Sequence, residues 1–220
     1  MNYFKNSALA LSLGLLSSGS VLAASDATLG LSATLIPAAC SLSLENSGNF
    51  DFGDTVASQI NRNGTTIMRQ ETTMRIGCTQ PAAVSVSMAL QSIDTRVLVD
   101  LPAYTSYFGQ HEEVISGLGL ANGHKIGGYM VEVNPTGFMD AGVGVSVLAS
   151  HNDGPWSTSY TRRLGTGRVM SFGNTTAGPL PVSDLTGTLR VSLGVASDQG
   201  LTFEDVIEME GNATLELTYL

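Results

Sequence analysis

Along most of this chain apolar and polar residues alternate with a period of two. In the final stretch, GNATLELTYL, Ala213, Leu215, Leu217 and Tyr219 fall on one face of an extended chain, and Thr214, Glu216 and Thr218 on the other. That is the pattern of a half-buried β-strand. The same period runs through SDATLGLSATLIPAAC, where Ala27, Leu29, Leu31, Ala33 and Leu35 point one way and Thr28, Gly30, Ser32 and Thr34 the other. Pro37 then interrupts the ladder, because proline has no N–H to donate. This first strand is therefore expected to be set off from a domain that begins near Cys40.

Further strands are predicted at CSLSLE, TTIMRQETTMRIGCT, AAVSVSMAL (Val84, Val86 and Met88 on one face), TRVLVDL, IGGYMVEVN, GVGVSVLAS, VMSFG and TGTLRVSLGVAS (Leu189, Val191, Leu193 and Val195 in register). NSGNFDFGD reads as a turn, and the chain from about Leu101 to His124 as loop. HNDGPWSTSYTRRLGTGR reads as a long turn-rich segment. TFEDVIEME carries a weak helical signal, one turn before the last strand. About eight or nine short strands separated by turns predict an all-β fold, a β-sandwich.

Composition agrees with that reading. Of 220 residues, 25 are glycine and only 13% are charged, which suits a sandwich better than a helical protein. The opening MNYFKNSALALSLGLLSSGSVLAASD has Lys5, an apolar core from Ala8 to Leu16, and small residues ending in VLAA. It reads as a secretory signal peptide over residues 1–24, cleaved after Ala23 or Ala24. Its apolar core is too short to span a bilayer. Removing Lys5 with the leader leaves nine basic and nineteen acidic residues, a net charge of −10. Nucleic-acid binders need basic patches, so that function class is disfavoured. Two cysteines, Cys40 and Cys78, in an exported chain read as a disulfide.

Little in the sequence points to catalysis. His111, His124 and His151 form no paired ligand motif, so no metal site is expected. His111 stands beside Glu112 and Glu113, which reads as a solvated polar loop. No G-x-S-x-G elbow occurs. GLGLANG lacks the Lys-Ser/Thr ending of a phosphate loop and reads as a glycine-rich turn. No cofactor is called for, and the chain is read as a non-enzyme. Aromatic residues in the irregular middle, Trp156 and Tyr160 first, then Tyr104, Tyr107 and Tyr129, offer a possible ligand loop. They support the alternative reading, a stand-alone exported β-sandwich that binds carbohydrate or a cell-surface ligand.

Three features together resemble the chaperone–usher pilins, the subunits of bacterial fimbriae: the alternating segment ahead of the first cysteine, the stretch LIPAACSLSL, and a closing strand with Tyr219 next to last. The centre of the chain is more similar to a less-studied family of fimbrial-like exported proteins. The chain departs from the pilin pattern at Asp205 and Val206, where classical pilins carry a glycine well before the final tyrosine. The resemblance implies an immunoglobulin-like sandwich over residues 38–220 that lacks its last strand, preceded by a donor-strand extension over residues 25–37. Another chain then supplies the missing strand, a recognised mode of strand addition. On this reading Ala27, Leu29, Leu31, Ala33 and Leu35 plug successive pockets of a neighbour, with Ala33 at a shallow one. Leu215, Leu217 and Tyr219 flank the acceptor groove, and the carboxylate of Leu220 meets the chaperone. The implied partners are a periplasmic pilus chaperone, an outer-membrane usher and neighbouring fimbrial subunits. The implied route is export through the periplasm to the cell surface, in support of adhesion. Patterning alone leaves open that residues 25–36 pair within their own domain.

Overall fold

A computed structural model describes residues 38–60, 65–99, 101, 112–158, 162–196, 200–202 and 206–220. The chain divides into two compact units, Met1–Ile36 and Pro37–Leu220, and every described residue lies in the second. The expected signal peptide and donor segment lie outside the described residues.

The described chain is all-β, with only short 3-10 turns beside the strands. One antiparallel sheet holds β1 (Cys40–Leu44), β2 (Thr65–Ala82), β13 (Val182–Ala196), β7 (Gly127–Val133) and β4 (Ser116–Gly117), in that order. A small hairpin, β8 (Met139–Asp140) and β9 (Val143–Gly144), attaches to β13. The second antiparallel sheet holds β10 (Ser146–His151), β11 (Arg168–Asn174), β3 (Val84–Ala89) and β14 (Thr214–Tyr219), with β12 (Gly178–Pro179) on β11. A separate hairpin joins β5 (Leu120–Ala121) to β6 (His124–Lys125). The chain passes from one sheet to the other between β2 and β3, at Ala83.

Alternation decides which residues meet between the sheets. Met74 and Ile76 of β2, with Leu185 and Leu189 of β13, are fully buried in one cluster with Val86 of β3 and Phe172 of β11. Two sheets sharing one core between them are consistent with a β-sandwich. Phe172 stacks on Phe138 with ring centroids 5.1 Å apart. Gly187 leaves room for that ring: a Cβ there would stand 2.3 Å from Phe138. The register of β13 slips between Val182 and Asp184. Asp140 pins the slip, its Oδ1 accepting the N–H groups of Ser183 and Asp184 at 2.8 Å each.

One predicted strand is not found. TRVLVDL was expected to pair, yet residues 96–99 form no ladder. Val99 and Leu101 instead pack with Val114, Ile115, Met130 and Ala196 in a second apolar cluster. Met130 and Ala196 point away from the main core, opposite to Val131 and Val195, so this segment covers the outer face of the first sheet. Val99 and Leu101 are buried and Val97 and Leu98 half-buried by packing rather than by a ladder, and the Val97 N–H donates to the Gly127 carbonyl at 3.1 Å.

Candidate functional site: an apolar groove between two strand edges

β1 and β14, one edge strand of each sheet, have one open side among the described residues. Among the described residues β1 pairs only with β2, and β14 only with β3. Hydrogen bonds fix which backbone groups face outward. The Thr79 N–H donates to the Ala39 carbonyl at 2.9 Å, and the Leu220 N–H to the Ala83 carbonyl at 3.0 Å. Backbone direction alternates along an antiparallel pair. Ala39, Ser41 and Ser43 therefore point into the first sheet, and Leu42 and Leu44 present N–H and C=O at its free edge. Leu215, Leu217 and Tyr219 do the same at the free edge of β14. Their side chains alternate as expected: Leu42, Leu44, Leu215 and Leu217 are half-buried, and the intervening residues are exposed.

Between these edges lies a groove of about 1180 Å³. Its floor is the inner face of the first sheet: Leu189, Val191 and Leu193 of β13 with Tyr129 and Val131 of β7. One rim carries Leu44, Phe50 and Phe52. The other carries Ile207, Met209 and Leu215. The rim residues are half-buried against the core. The groove is thus a break in the cover of the main core.

The segment ahead of β14 corrects an expectation. Residues 206–213 form neither helix nor ladder. Ile207 and Met209 turn inward while Val206, Glu208 and Glu210 are exposed, a period of two rather than of a helix. The first part of TFEDVIEME, residues 203–205, lies outside the described residues.

At the far end the two edges are joined. The Cys40 N–H donates to the Tyr219 Oη at 2.7 Å. Tyr219 keeps the inward register expected of it, but its ring is half exposed as it crosses to β1. Leu220 is exposed. Cys40 and Cys78 are bonded, directly opposite each other in the β1–β2 pair with Cα atoms 4.0 Å apart.

The aromatic ligand loop is only partly supported. Tyr104, Tyr107 and Tyr160 lie outside the described residues, as do residues 27–35 of the donor segment. Trp156 is half-buried. Tyr129 is not in a loop: it is a buried residue of β7, and its hydroxyl donates to the Asn212 carbonyl. Burial raises its pKa above the ordinary 10.0. A ring held in this way is not presented to a ligand at a loop surface.

The polar residues singled out in the sequence are dispersed. His111 lies outside the described residues. Glu112 pairs with Arg96 at 3.1 Å and Glu113 with Arg168 at 2.9 Å, and Glu113 stands 3.7 Å from His151, so that loop holds ion pairs. Among the described residues no group of three or more His, Cys, Asp or Glu is placed to hold a metal ion. Among the same residues no helix is long and apolar enough to cross a membrane.

The sequence reading did not find Phe50, Phe52, Ile207 and Met209 on the rims. The alternation of Ile207 and Met209 with Glu208 and Glu210 was a signal for two of them. No protein-family model matches the chain, and a search of curated proteins returns no match.

Proposed function

We propose that this chain is a structural subunit of a chaperone–usher surface fimbria, an immunoglobulin-like sandwich one strand short and completed by a strand from another chain. The observation that carries the reading is the groove between β1 and β14, floored by Leu189, Val191 and Leu193, with β1 and β14 each pairing on one side only among the described residues. An added strand with alternating apolar residues would bury its side chains on that floor and hydrogen-bond to both rims. Each fully buried side chain of this kind stabilises by about 1.5–3 kcal/mol, offset in part by ordering the free segment. Residues 27–35 have the required alternation. In this reading a periplasmic chaperone lends the strand first, an outer-membrane usher presides over its replacement, and the neighbouring subunit supplies residues 27–35 in the finished fibre. The leader over residues 1–24 and the paired cysteines fit a protein that matures outside the cytoplasm.

The test is deletion of residues 25–36 in cells that supply a chaperone and an usher. The proposal expects a folded, chaperone-bound domain that no longer enters fibres. A deleted chain that fails to fold even with the chaperone, or one that still polymerises, overturns it.

A further inference from the structure

We infer that Asn122 is a site of self-modification: its side-chain amide closes onto the backbone nitrogen of Gly123, loses ammonia, and opens with water to aspartate or isoaspartate. The change falls at one end of the groove but needs no occupant there, so the inference stands apart from the fimbrial reading.

Asn122 and Gly123 are the two central residues of the hairpin between β5 and β6, where Ala121 pairs with His124. Their φ angles are 51° and 81°. Two positive values mark the two-residue turn that selects Asn-Gly. The residues that build this turn are also the ones that react. Glycine has no side chain to obstruct its own nitrogen during the attack, and here that nitrogen lies in open space. A Cβ on Gly123 would meet no atom within 4 Å, and Asn122, Gly123, His124 and Lys125 are all exposed. Among the described residues this is the only Asn-Gly pair.

Ring closure requires rotation about the Cα–C bond of Asn122, to bring the Gly123 nitrogen onto Cγ. The turn must open for that, and it is weakly held. β5 and β6 have two residues each and form a sheet of their own, outside both sheets of the sandwich. A two-stranded hairpin is marginal in water, and opening a segment with few contacts costs far less than global unfolding. The base of the hairpin is fixed. The Ile126 N–H donates to the Gly119 carbonyl at 3.2 Å, and Leu118 and Ile126 are buried. The tip therefore opens while the domain stays folded.

Other asparagines are guarded. Asn134 precedes Pro135, whose nitrogen has no hydrogen to lose, and its Oδ1 accepts the Thr136 N–H at 3.0 Å. Asn174 Oδ1 accepts the N–H groups of Thr176 and Ala177 at 3.0 and 2.6 Å. Side chains held in this way cannot swing onto the following nitrogen without breaking those bonds.

The steps balance with water as the only co-reactant. The Gly123 nitrogen gives its proton to solvent base as it bonds to Cγ, and the side-chain nitrogen leaves as ammonia. Water then opens the five-membered ring. Attack at Cγ gives aspartate. Attack at the backbone carbonyl gives isoaspartate, whose main chain runs through Cβ and is one carbon longer. A turn lengthened in this way no longer fits the Ala121–His124 pair. Either product places a carboxylate where Leu120, Ala121 and Asn122 line the groove, to which Glu208 and Glu210 also contribute.

The experiment incubates the exported full-length chain, in the assembly in which it is isolated, in mildly alkaline buffer and maps its peptides by mass at intervals. Residue 122 is expected to gain the single dalton that exchange of an amide for a carboxyl brings. The gain should come at least about tenfold faster than at any other described asparagine, because the tip opens on its own. Isoaspartate is expected beside aspartate in the product. Conversion at Asn122 only after denaturant is added overturns the inference. So does a product that holds aspartate alone, which would mean direct hydrolysis without the ring. Gly123→Asp keeps a residue that tolerates the left-handed turn but crowds its nitrogen, and is expected to slow conversion severalfold. An unchanged rate in that variant overturns the assignment of the attack to the Gly123 nitrogen. After conversion, hydrogen exchange is expected to quicken at Ala121 and His124 and to stay unchanged at Val191 in the central strand. Hairpin amides that keep their original rates overturn the remodelling of the turn.

Discussion

The hydroxyl of Tyr129 donates to the carbonyl of Asn212, and so ties the floor of the groove to the segment that leads into the last strand. Gly211 permits the approach, since a Cβ there would stand 2.7 Å from the Tyr129 ring. Burial favours the neutral phenol and raises its pKa above 10.0. The stability this contributes is therefore fully present below pH 10.0. It is lost as pH rises from there through the folded-state value, because the unfolded chain ionises first. Tyr129→Phe is expected to cost about 0.5–1.5 kcal/mol at neutral pH, the net worth of one hydrogen bond. Denaturant titrations of both proteins should show this gap narrowing above pH 10.0. A gap that widens there would mean the phenol is not held neutral by burial.

Gly187 lies on the inward face of β13 against the Phe138 ring, which stacks on Phe172. Both rings are buried to within 1% and have nowhere to move. Gly187→Ala is expected to destabilise the domain by about 1–3 kcal/mol through overpacking, read as a lower denaturation midpoint with an unchanged slope. The companion change Phe138→Leu should recover part of that loss. If Gly187→Ala is neutral, the ring is not confined as described.

What was legible in the sequence was the period, and what the period reports is burial on a face. Leu189, Val191 and Leu193 read as inward residues of one strand and are found so. Val97 and Val99 have the same look, yet they form no ladder and pack on a sheet, with the Val97 N–H donating to the Gly127 carbonyl at 3.1 Å, because alternation does not specify a hydrogen-bond partner. Tyr129 was grouped with the aromatics of the irregular middle, although IGGYMVEVN around it reads as a strand. Gly127 and Gly128 instead allow close approach within the sheet: a Cβ on Gly127 would stand 1.9 Å from the Gly194 carbonyl oxygen. The groove itself was not legible from the residues alone. Its rims come from residues 44–52 and 206–215, and no local pattern says that two such distant edges stand apart rather than pair.

Glu132 is 2% exposed on the outer face of the first sheet. Arg190 Nη1 reaches its Oε1 at 3.3 Å and also holds Glu71 through Nη2 at 2.9 Å. Buried Arg163 lies opposite Glu132 in a bridge pair. Burial lowers the Arg163 pKa, and the Glu132 charge acts against that shift. Removing the carboxylate takes away the buried charge that Arg190 Nη1 reaches and that opposes the burial shift of Arg163. Glu132→Ala is therefore expected to cost about 3–5 kcal/mol, measured by chemical denaturation. Glu71→Ala, whose partner Arg190 keeps Glu132, should cost under about 1 kcal/mol. Equal losses at the two sites would contradict the burial argument.

The Cys40–Cys78 bond closes a loop of sequence separation 38 and lies one hydrogen bond from Tyr219. On the chain-entropy account, such a loop stabilises by about 4 kcal/mol. Cys40→Ser with Cys78→Ser is expected to lose most of that in denaturant titrations. The loss has a local consequence as well, because β1 among the described residues pairs on one side only. Once untethered from β2 it is the strand most free to fray, and the bridge from the Cys40 N–H to Tyr219 goes with it. Hydrogen exchange should then show protection falling first at Ser41 and Ser43, whose N–H groups face β2, while Leu189 and Val191 in the central strand keep theirs. If exchange rises evenly across the sheet instead, the disulfide stabilises the whole fold and has no special hold on the edge of the groove.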